Sequence, residues 1–248
     1  MKTICQFSCG AASAVATKLI LSEGLADVWI LNAFLKEEHE DNRRFLSDCE
    51  RWFGQPITVL RDEKYGASAR EVFRRRRYLK GARGAPCSAV LKRELLASVV
   101  TLDDTIVLGF TAEEQDRMDL FIDANNVKVR APLIERGLTK DDCLAMIERA
   151  GIELPLMYLL GFNNANCIGC VKGGEGYWNR IRTHFPRDFE EMAAIQEAIG
   201  PGANLFRNRV TGERFSLREL DPKAGRHNEP MPSCSFFCEQ AEGEFDHG

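Results

Sequence analysis

Short apolar runs that alternate with helical segments constrain the fold of this chain more than any other feature of its sequence. An apolar run at residues 4–7 is followed by a turn of small residues at 8–13 and by helical spacing of apolar residues at 14–21. The same reasoning predicts strands at 28–31, 57–60 and 105–109 and helices at 41–53, 88–96 and 139–150. Strands that alternate with helices predict an α/β fold in which a mostly parallel sheet is flanked by helices.

The last third of the chain departs from this alternation. We expect an α/β core at 1–155, followed at 156–200 by a cysteine-containing helical segment packed on that core. Helical spacing within this segment runs over 177–199. Residues 201–248 are rich in Gly, Pro and Arg and predict an irregular extension with one hairpin around Thr211 and Gly212.

The composition excludes two classes of protein. With 44% hydrophobic residues, the chain is too apolar for global disorder and can build a sizeable core. No stretch approaches 18 uninterrupted apolar residues, so we predict no membrane span. The formal net charge of −4 argues against indiscriminate binding of nucleic acid but leaves room for a local basic patch.

Nine cysteines need an explanation. Because the count is odd and no export signal is recognisable, a disulfide framework is disfavoured and a reducing, cytoplasmic location is predicted. Cys5, Cys49 and Cys143 lie on apolar faces of predicted elements, so we expect them in the core.

The turn at residues 8–13 is a candidate phosphate site. Small residues between a buried strand and a helix leave backbone N–H groups at the positive end of the helix dipole. Gly10 permits close approach of a ligand, and Ser8 and Ser13 add hydroxyl groups. A plain strand-to-helix turn is the alternative, since Gly and Ser are common in turns of every kind.

A second candidate site is the C-x-x-C sequence of Cys167 and Cys170. Two thiolates at this spacing can bind one metal ion or cluster, and Cys87, in a Pro-Cys-Ser turn, can add a third ligand. Cys234 and Cys238 can supply a fourth ligand or form a mobile redox pair. Buried structural cysteines are the alternative.

Four consecutive arginines, Arg74, Arg75, Arg76 and Arg77, stand out in an otherwise acidic chain. A solvated helix face explains most charge runs. The functional alternative is a patch that binds the phosphates of a nucleotide or a nucleic acid.

An acidic segment at 37–41 follows the second predicted strand, at the edge where open α/β sheets bind ligands. Its carboxylates can hold Mg²⁺, and His39 can act as an acid or base. A solvated acidic helix start is the alternative.

Taken in order, several segments resemble a known family. The sequence at 8–13 resembles the PP-loop, S-G-G-x-D-S, of the adenine-nucleotide alpha-hydrolase-like superfamily. Other segments resemble its phosphoadenosine phosphosulfate reductase branch, in the form common in bacteriophages and bacteria: 38–45, 87–88 with 91–92, 109–114, 132–135 and 166–172. The likeness covers about residues 1–195.

This resemblance implies a Rossmann-like core that binds ATP or another adenine nucleotide, with Mg²⁺. Ser8, Gly10 and Ser13, with Cys9 between them, would contact phosphate. The Ala33 and Phe34 backbone would lie near adenine, and a third group would approach the same pocket: Gly109, Glu113 and Arg117. Cys9 replaces the second Gly of the loop and Ala12 replaces its Asp, so the ATP-hydrolysing geometry is altered.

The branch contains two chemistries. Sulfonucleotide reductases use a cysteine in a C-terminal Glu-Cys-Gly-Ile/Leu-His motif, which this sequence lacks, so Cys234 or Cys238 would have to substitute. Other members resemble enzymes of nucleic-acid thiolation, in which ATP activates an acceptor and a 4Fe-4S cluster on cysteines serves sulfur delivery. The spacing of Cys87, Cys167 and Cys170 fits the second group better.

We therefore expect an ATP-dependent enzyme of sulfur metabolism, with Cys87 and His39 among its catalytic candidates and a nucleic acid or nucleotide as acceptor. A sulfonucleotide reductase is one alternative, and a nucleotide-binding protein without turnover is another. Zinc is the alternative to the iron cluster. A homodimer is a further expectation.

Overall fold

The computed structural model describes residues 1–81 and 84–226. Its centre is a sheet of five parallel strands in the order β3-β2-β1-β4-β5. The strands of this sheet are β1 (Thr3–Gln6), β2 (Val28–Ala33), β3 (Thr58–Leu60), β4 (Thr105–Val107) and β5 (Lys128–Arg130). A separate antiparallel pair consists of β6 (Phe206–Arg207) and β7 (Arg214–Phe215). The predicted α/β class and the predicted hairpin are both confirmed.

Eleven α-helical segments accompany these strands in the described part of the chain. They are α1 (Ala11–Ser22), α2 (Asp41–Phe53), α3 (Ala69–Arg76), α4 (Pro86–Ser88), α5 (Leu95–Ala97), α6 (Gln115–Ala124), α7 (Pro132–Glu135), α8 (Lys140–Arg149), α9 (Leu156–Leu159), α10 (Glu175–His184) and α11 (Pro186–Ile199). A π-helical segment, Ala89–Glu94, joins α4 to α5, and 3-10 turns form at Ala112–Glu114 and Pro201–Ala203.

Local sequence signals explain where several helices begin and end. The α2 helix buries Phe45, Cys49 and Phe53 on one face and stops at Gly54, whose φ of +77° favours glycine. Thr139 caps α8 by accepting a hydrogen bond from the Asp142 N–H. Both helices match their predicted spans closely.

Three predicted spans need correction. The helix predicted at 88–96 is instead a chain of short α, π and α segments. The helical spacing over 177–199 belongs to two helices, because Pro186 cannot continue α10 and starts α11. The first helix begins at Ala11 rather than at residue 14, directly behind the small-residue turn.

Apolar side chains form two clusters, which a central sheet covered on both faces requires. The larger cluster joins Ile4, Ile106 and Leu108 of the sheet region to α10 and α11 through Trp178 and Met192. The smaller cluster contains Cys5, Cys49 and Cys143, each fully buried, which confirms their expected place in the core. Burial raises the pKa of Cys5 and of Cys143 to about 12, so both stay protonated thiols.

None of the helices described in the structure has the length and apolar character that crossing a bilayer requires.

Candidate ligand cavity at the sheet edge

The carboxyl ends of β1 and β4 border a cavity of about 290 Å³. From β1 the chain proceeds outward through β2 and β3, then returns to place β4 on the other side of β1. Open α/β sheets bind ligands in the crevice at such a reversal of strand order. Residues after β1, residues after β4 and a group from later in the chain line this cavity: Gln6, Ser8, Gly10, Ala12, Ser13, Leu108, Gly109, Phe110, Thr111, Glu113, Glu114, Lys140, Tyr158, Asn164, Ala165 and Asn166.

We call residues 8–13 the opening turn, and Ser13 holds it in shape. The Ser13 hydroxyl donates to the Gly10 carbonyl at 2.9 Å and accepts from the Ser8 N–H at 3.1 Å. The Ser8 hydroxyl also donates to it, at 3.2 Å. Because the Ser13 proton is engaged within the turn, this side chain shapes the loop and does not offer a donor to a ligand.

Several backbone N–H groups of the opening turn remain available as hydrogen-bond donors. In the described ranges, no group accepts a hydrogen bond from the N–H of Cys9, Gly10 or Ala12. These N–H groups lie at the start of α1, a helix of 12 residues, where the helix dipole is positive. Such a helix start suits an anion such as phosphate.

Two glycines set the dimensions of the cavity. A Cβ on Gly109 would lie 2.9 Å from both the Cα and the N of Ser13, so only glycine lets the chain after β4 approach α1 this closely. A Cβ on Gly10 would meet only the Tyr158 hydroxyl, at 3.4 Å, and the Ser8 hydroxyl, at 3.7 Å. Gly109 is therefore required by packing, whereas Gly10 leaves open space for a ligand.

Tyr158, from α9, touches the start of α1. Its hydroxyl accepts a hydrogen bond from the Ala11 N–H at 3.2 Å. Burial raises the pKa of Tyr158 to about 12, so the phenol is neutral at physiological pH. Tyr158 thus closes one side of the opening turn while leaving the neighbouring N–H groups open.

Lys140 brings a positive charge to the cavity wall. Its ammonium group donates to the Asn164 side chain at 3.0 Å and to the Asn163 carbonyl. Burial lowers the pKa of Lys140, although nearby carboxylates oppose the shift. Burial would raise the pKa of Glu113, but hydrogen bonds from Thr111 and from the Lys140 N–H outweigh it and hold this pKa below its ordinary value. The cavity therefore combines a lysine with a charged carboxylate.

Of the nine predicted nucleotide contacts, five line this cavity: Ser8, Gly10, Ser13, Gly109 and Glu113. The thiol of Cys9 does not, because a φ of +57° turns the side chain into the core, where it accepts a hydrogen bond from the Asn32 amide at 3.6 Å. Burial raises the pKa of Cys9 well above its ordinary value.

Ala33, Phe34 and Arg117 also lie away from the cavity wall. The Phe34 N–H donates to the Leu60 carbonyl at 2.9 Å and so extends the sheet instead of facing a base. Arg117 is not among the lining residues; it pairs with Glu114 and lies over the Phe110 ring, with 5.2 Å between guanidinium carbon and ring centroid.

Cys87, Cys167 and Cys170 line one common cavity, as the sequence predicts, but its volume is only about 20 Å³. That volume accommodates a single water molecule. Within residues 1–81 and 84–226, no three His, Cys, Asp or Glu side chains are arranged to hold a metal ion. Cys234 and Cys238, proposed as further ligands or catalytic thiols, lie outside the described residues. The described thiols do not fit an iron-sulfur cluster, and we derive no chemical step through one.

We call residues 167–170 the cysteine turn, and Tyr177 fixes its conformation. The Tyr177 hydroxyl accepts from the Gly169 N–H at 3.0 Å and from the Cys170 N–H at 2.9 Å, and it donates to the Cys167 carbonyl at 2.7 Å. Burial raises the pKa of Tyr177 well above its ordinary value, so the hydroxyl keeps its proton. These two N–H groups are bound to oxygen and not directed at sulfur.

The acidic segment at 37–41 makes hydrogen bonds and ion pairs that stabilise the fold. Glu37 accepts hydrogen bonds from the Ser68 hydroxyl at 2.5 Å and from the Ala69 N–H at 2.9 Å, at the start of α3. Glu38 pairs with Arg43 at 3.2 Å, and Asp41 pairs with Arg44 at 2.7 Å.

His39 accepts a hydrogen bond from the Asp41 N–H at 3.1 Å and packs on Phe185, away from both cavities. The alternative interpretation, a solvated acidic helix start, is right about the position at the start of α2, but the Glu37 and Glu38 side chains are buried and not solvated.

The four consecutive arginines are held by neighbouring groups. Arg74 pairs with Glu191 at 2.5 Å and Arg75 with Glu71 at 2.7 Å. Arg76 donates to the Tyr65 hydroxyl at 3.3 Å, and Arg77 donates to the Ala198 carbonyl at 2.6 Å. The run therefore ties α3 to α11 and to the chain before it.

The sequence patterns did not single out several of the lining residues as site residues, among them Gln6, Lys140, Tyr158, Asn164 and Ala165. No known protein-family model and no curated protein matches this chain. The fold and the cavity therefore carry the functional argument.

Proposed function

We propose that the cavity beside the opening turn binds an adenine nucleotide, and that the protein is an ATP-dependent enzyme of sulfur metabolism. One observation carries the proposal: open N–H groups at the start of α1 face the point where the strand order reverses. Fixed amide donors at a helix start recognise phosphate without any charged side chain. The likeness of residues 8–13 to a PP-loop supports adenine as the base.

In this proposal, the phosphates lie against Gly10 and the N–H groups of Cys9 and Ala12. Lys140 supplies the positive charge at the cavity wall, and its amide-rich surroundings fix its position. Glu113 offers a carboxylate for Mg²⁺, which commonly binds through one or two carboxylates together with the phosphates of its nucleotide.

The chemical reason for using ATP is activation of an acceptor. Hydroxyl oxygen is a poor leaving group, whereas transfer of AMP to it creates a good one that a sulfur nucleophile can displace. The acceptor that we expect is a nucleic acid or a nucleotide. Cys87 is the described candidate for the sulfur step, since it is partly exposed in the small cavity with Cys167 and Cys170.

A second function has a specific observation in its favour. Ala12 lines the cavity at the position where the PP-loop has Asp, so no carboxylate stands there. A protein that binds the nucleotide without turnover would suit this change.

Isothermal titration with ATP and Mg²⁺ tests the binding proposal. The variant Gly10→Ala adds a methyl group where the structure has room for it, so the fold is kept while the approach of phosphate is hindered. We expect about tenfold weaker binding, equal to about 1.4 kcal/mol. Gly202→Ala is the matched control, because a Cβ there meets no atom within 4 Å. Equal affinities for wild type and Gly10→Ala would reject the opening turn as the phosphate site.

Turnover separates the enzyme from the binding protein. We expect release of AMP and pyrophosphate from ATP when transfer RNA or DNA is supplied as the acceptor. ATP binding without release of either product, for all acceptors tried, would favour the non-catalytic function. Sulfite formed from adenylyl sulfate and thioredoxin would identify a sulfonucleotide reductase.

A further inference from the structure

Gln6 is the last residue of β1 and forms part of the cavity wall. Only 5% of its surface is exposed. Among the described residues, neither the side-chain oxygen nor the side-chain nitrogen of Gln6 has a hydrogen-bond partner. A buried amide that lacks both partners costs stability, because the unfolded chain would bond both atoms to water.

Other polar side chains around the cavity have partners in the protein. Ser13 bonds within the opening turn, Tyr158 bonds to Ala11, and Lys140 bonds to Asn164. The missing partner of Gln6 therefore singles this residue out from the rest of the wall. A group supplied by the ligand would satisfy the amide.

Gln6 shares the cavity with apolar side chains that can pack against the base of a nucleotide. Leu108 and Phe110 line the same cavity and are 1% and 2% exposed, so they offer an apolar wall for a flat ring.

We propose that Gln6 determines base specificity by recognising the amino edge of adenine. A carboxamide presents one acceptor and one donor side by side. Adenine presents the complementary pair, an amino group beside a ring nitrogen, and glutamine is a common bidentate partner for it. The inference rests on the proposed nucleotide site and names the residue that selects the base there.

Purine riboside triphosphate provides the probe, because it differs from ATP only in lacking the amino group. We expect wild type to bind ATP about tenfold more tightly than this analogue, and Gln6→Met to bind both equally. Methionine has a similar length and shape but offers no amide. Gln115→Met, which alters an exposed glutamine that does not line the cavity, should keep the wild-type preference.

Stability without ligand gives a second readout. Because the Gln6 amide has no partner to lose, Gln6→Met should unfold at the same or a higher urea concentration than wild type. A clear fall in that midpoint would show that the amide is already satisfied in the protein, and would overturn the inference.

The binding outcomes separate this inference from the proposed function. Suppose that wild type binds ATP and that Gln6→Met either loses the same affinity for ATP and for the analogue or keeps its affinity for both. In either case Gln6 does not recognise the base, and only this inference fails. If wild type binds no nucleotide at all, the proposed function fails and the inference fails with it.

Discussion

The opening turn and the cysteine turn contain similar residues but differ in how fully the protein binds their backbone N–H groups. Each contains glycine, and each is held by a tyrosine hydroxyl, from Tyr158 in one case and Tyr177 in the other. Tyr177 binds two N–H groups and one carbonyl of its turn, beside a cavity of about 20 Å³. Tyr158 binds the Ala11 N–H and the Ala165 backbone, and it leaves the N–H groups of Cys9, Gly10 and Ala12 open beside a cavity of about 290 Å³.

This difference shows what small residues in a turn can and cannot indicate. A glycine-containing turn permits close approach by whatever group lies nearby. In the cysteine turn that group is a side chain of the protein, so the turn is closed to a ligand. In the opening turn the donors face a cavity, so a ligand can take the same role.

Tyr177→Phe should destabilise the cysteine turn and has the largest expected effect. The variant leaves two N–H groups and a carbonyl without their partner, at a cost of about 3 kcal/mol in the free energy of unfolding. Urea denaturation measures this loss. Tyr158→Phe is the matched control and should lose only about 1 kcal/mol, because the backbone groups that its hydroxyl binds border an open cavity, where water can replace the lost bonds. Equal losses in the two variants would refute the contrast between the turns.

Gly109→Ala should distort the opening turn, because Gly109 packs against it. Its Cβ would collide with the backbone of Ser13, which cannot move without shifting α1. We expect a loss of about 2 kcal/mol in stability together with weakened ATP binding. Denaturation and titration of the same preparation check both effects. Unchanged stability would mean that the strand end and α1 are not packed as tightly as described.

Alkaline pH should destabilise both turns through their tyrosines. The pKa of Tyr158 is about 12 in the fold against an ordinary value of 10.0, so the unfolded chain releases this proton first. The stabilisation is fully present below pH 10 and is lost as the pH rises through the folded value, at up to about 1.4 kcal/mol per pH unit.

Unfolding measured across this pH range should therefore have a shallower slope in Tyr158→Phe than in wild type. Tyr177→Phe should show the same change, because the pKa of Tyr177 is also raised. A slope unchanged in both variants would contradict the burial of the two hydroxyl groups.

Lys140→Met should weaken ligand binding beside the opening turn and leave the cysteine turn unchanged. Loss of the positive charge at the cavity wall is expected to weaken ATP binding by about 1 kcal/mol, roughly fivefold. In wild type, the affinity should fall as the pH rises through the pKa of Lys140, which lies below its ordinary 10.5. Titration at several pH values measures both effects, and an identical pH profile in wild type and variant would exclude Lys140 from the site.

Local patterns in the sequence predict the fold well where they are strong. The periodicity of α2 and the cap at Thr139 gave these helices almost to the residue. The strand β5 was missed because two of its three residues, Lys128 and Arg130, are charged and resemble a surface loop. The π segment after α4 was missed because its apolar residues have the spacing of an ordinary helix.

The candidate site was only half predictable, for a related reason. Residues close to the opening turn follow from its local sequence, whereas Tyr158 reaches it from a distant part of the chain. Gln6 resembles an interruption of an apolar strand until the cavity is seen beside it. Conversely, the arginine run and the acidic segment look chemically active in sequence, but the fold pairs Arg74 with Glu191 and Glu38 with Arg43.

Amide chemical shifts recorded during an ATP titration show whether the open N–H groups at the start of α1 bind phosphate. We expect the N–H signals of Cys9, Gly10 and Ala12 to move on addition of ATP with Mg²⁺, while those of Gly169 and Cys170, held by Tyr177, stay in place. Signals of the opening turn that stay fixed at saturating ATP, or signals of the cysteine turn that move instead, would contradict it.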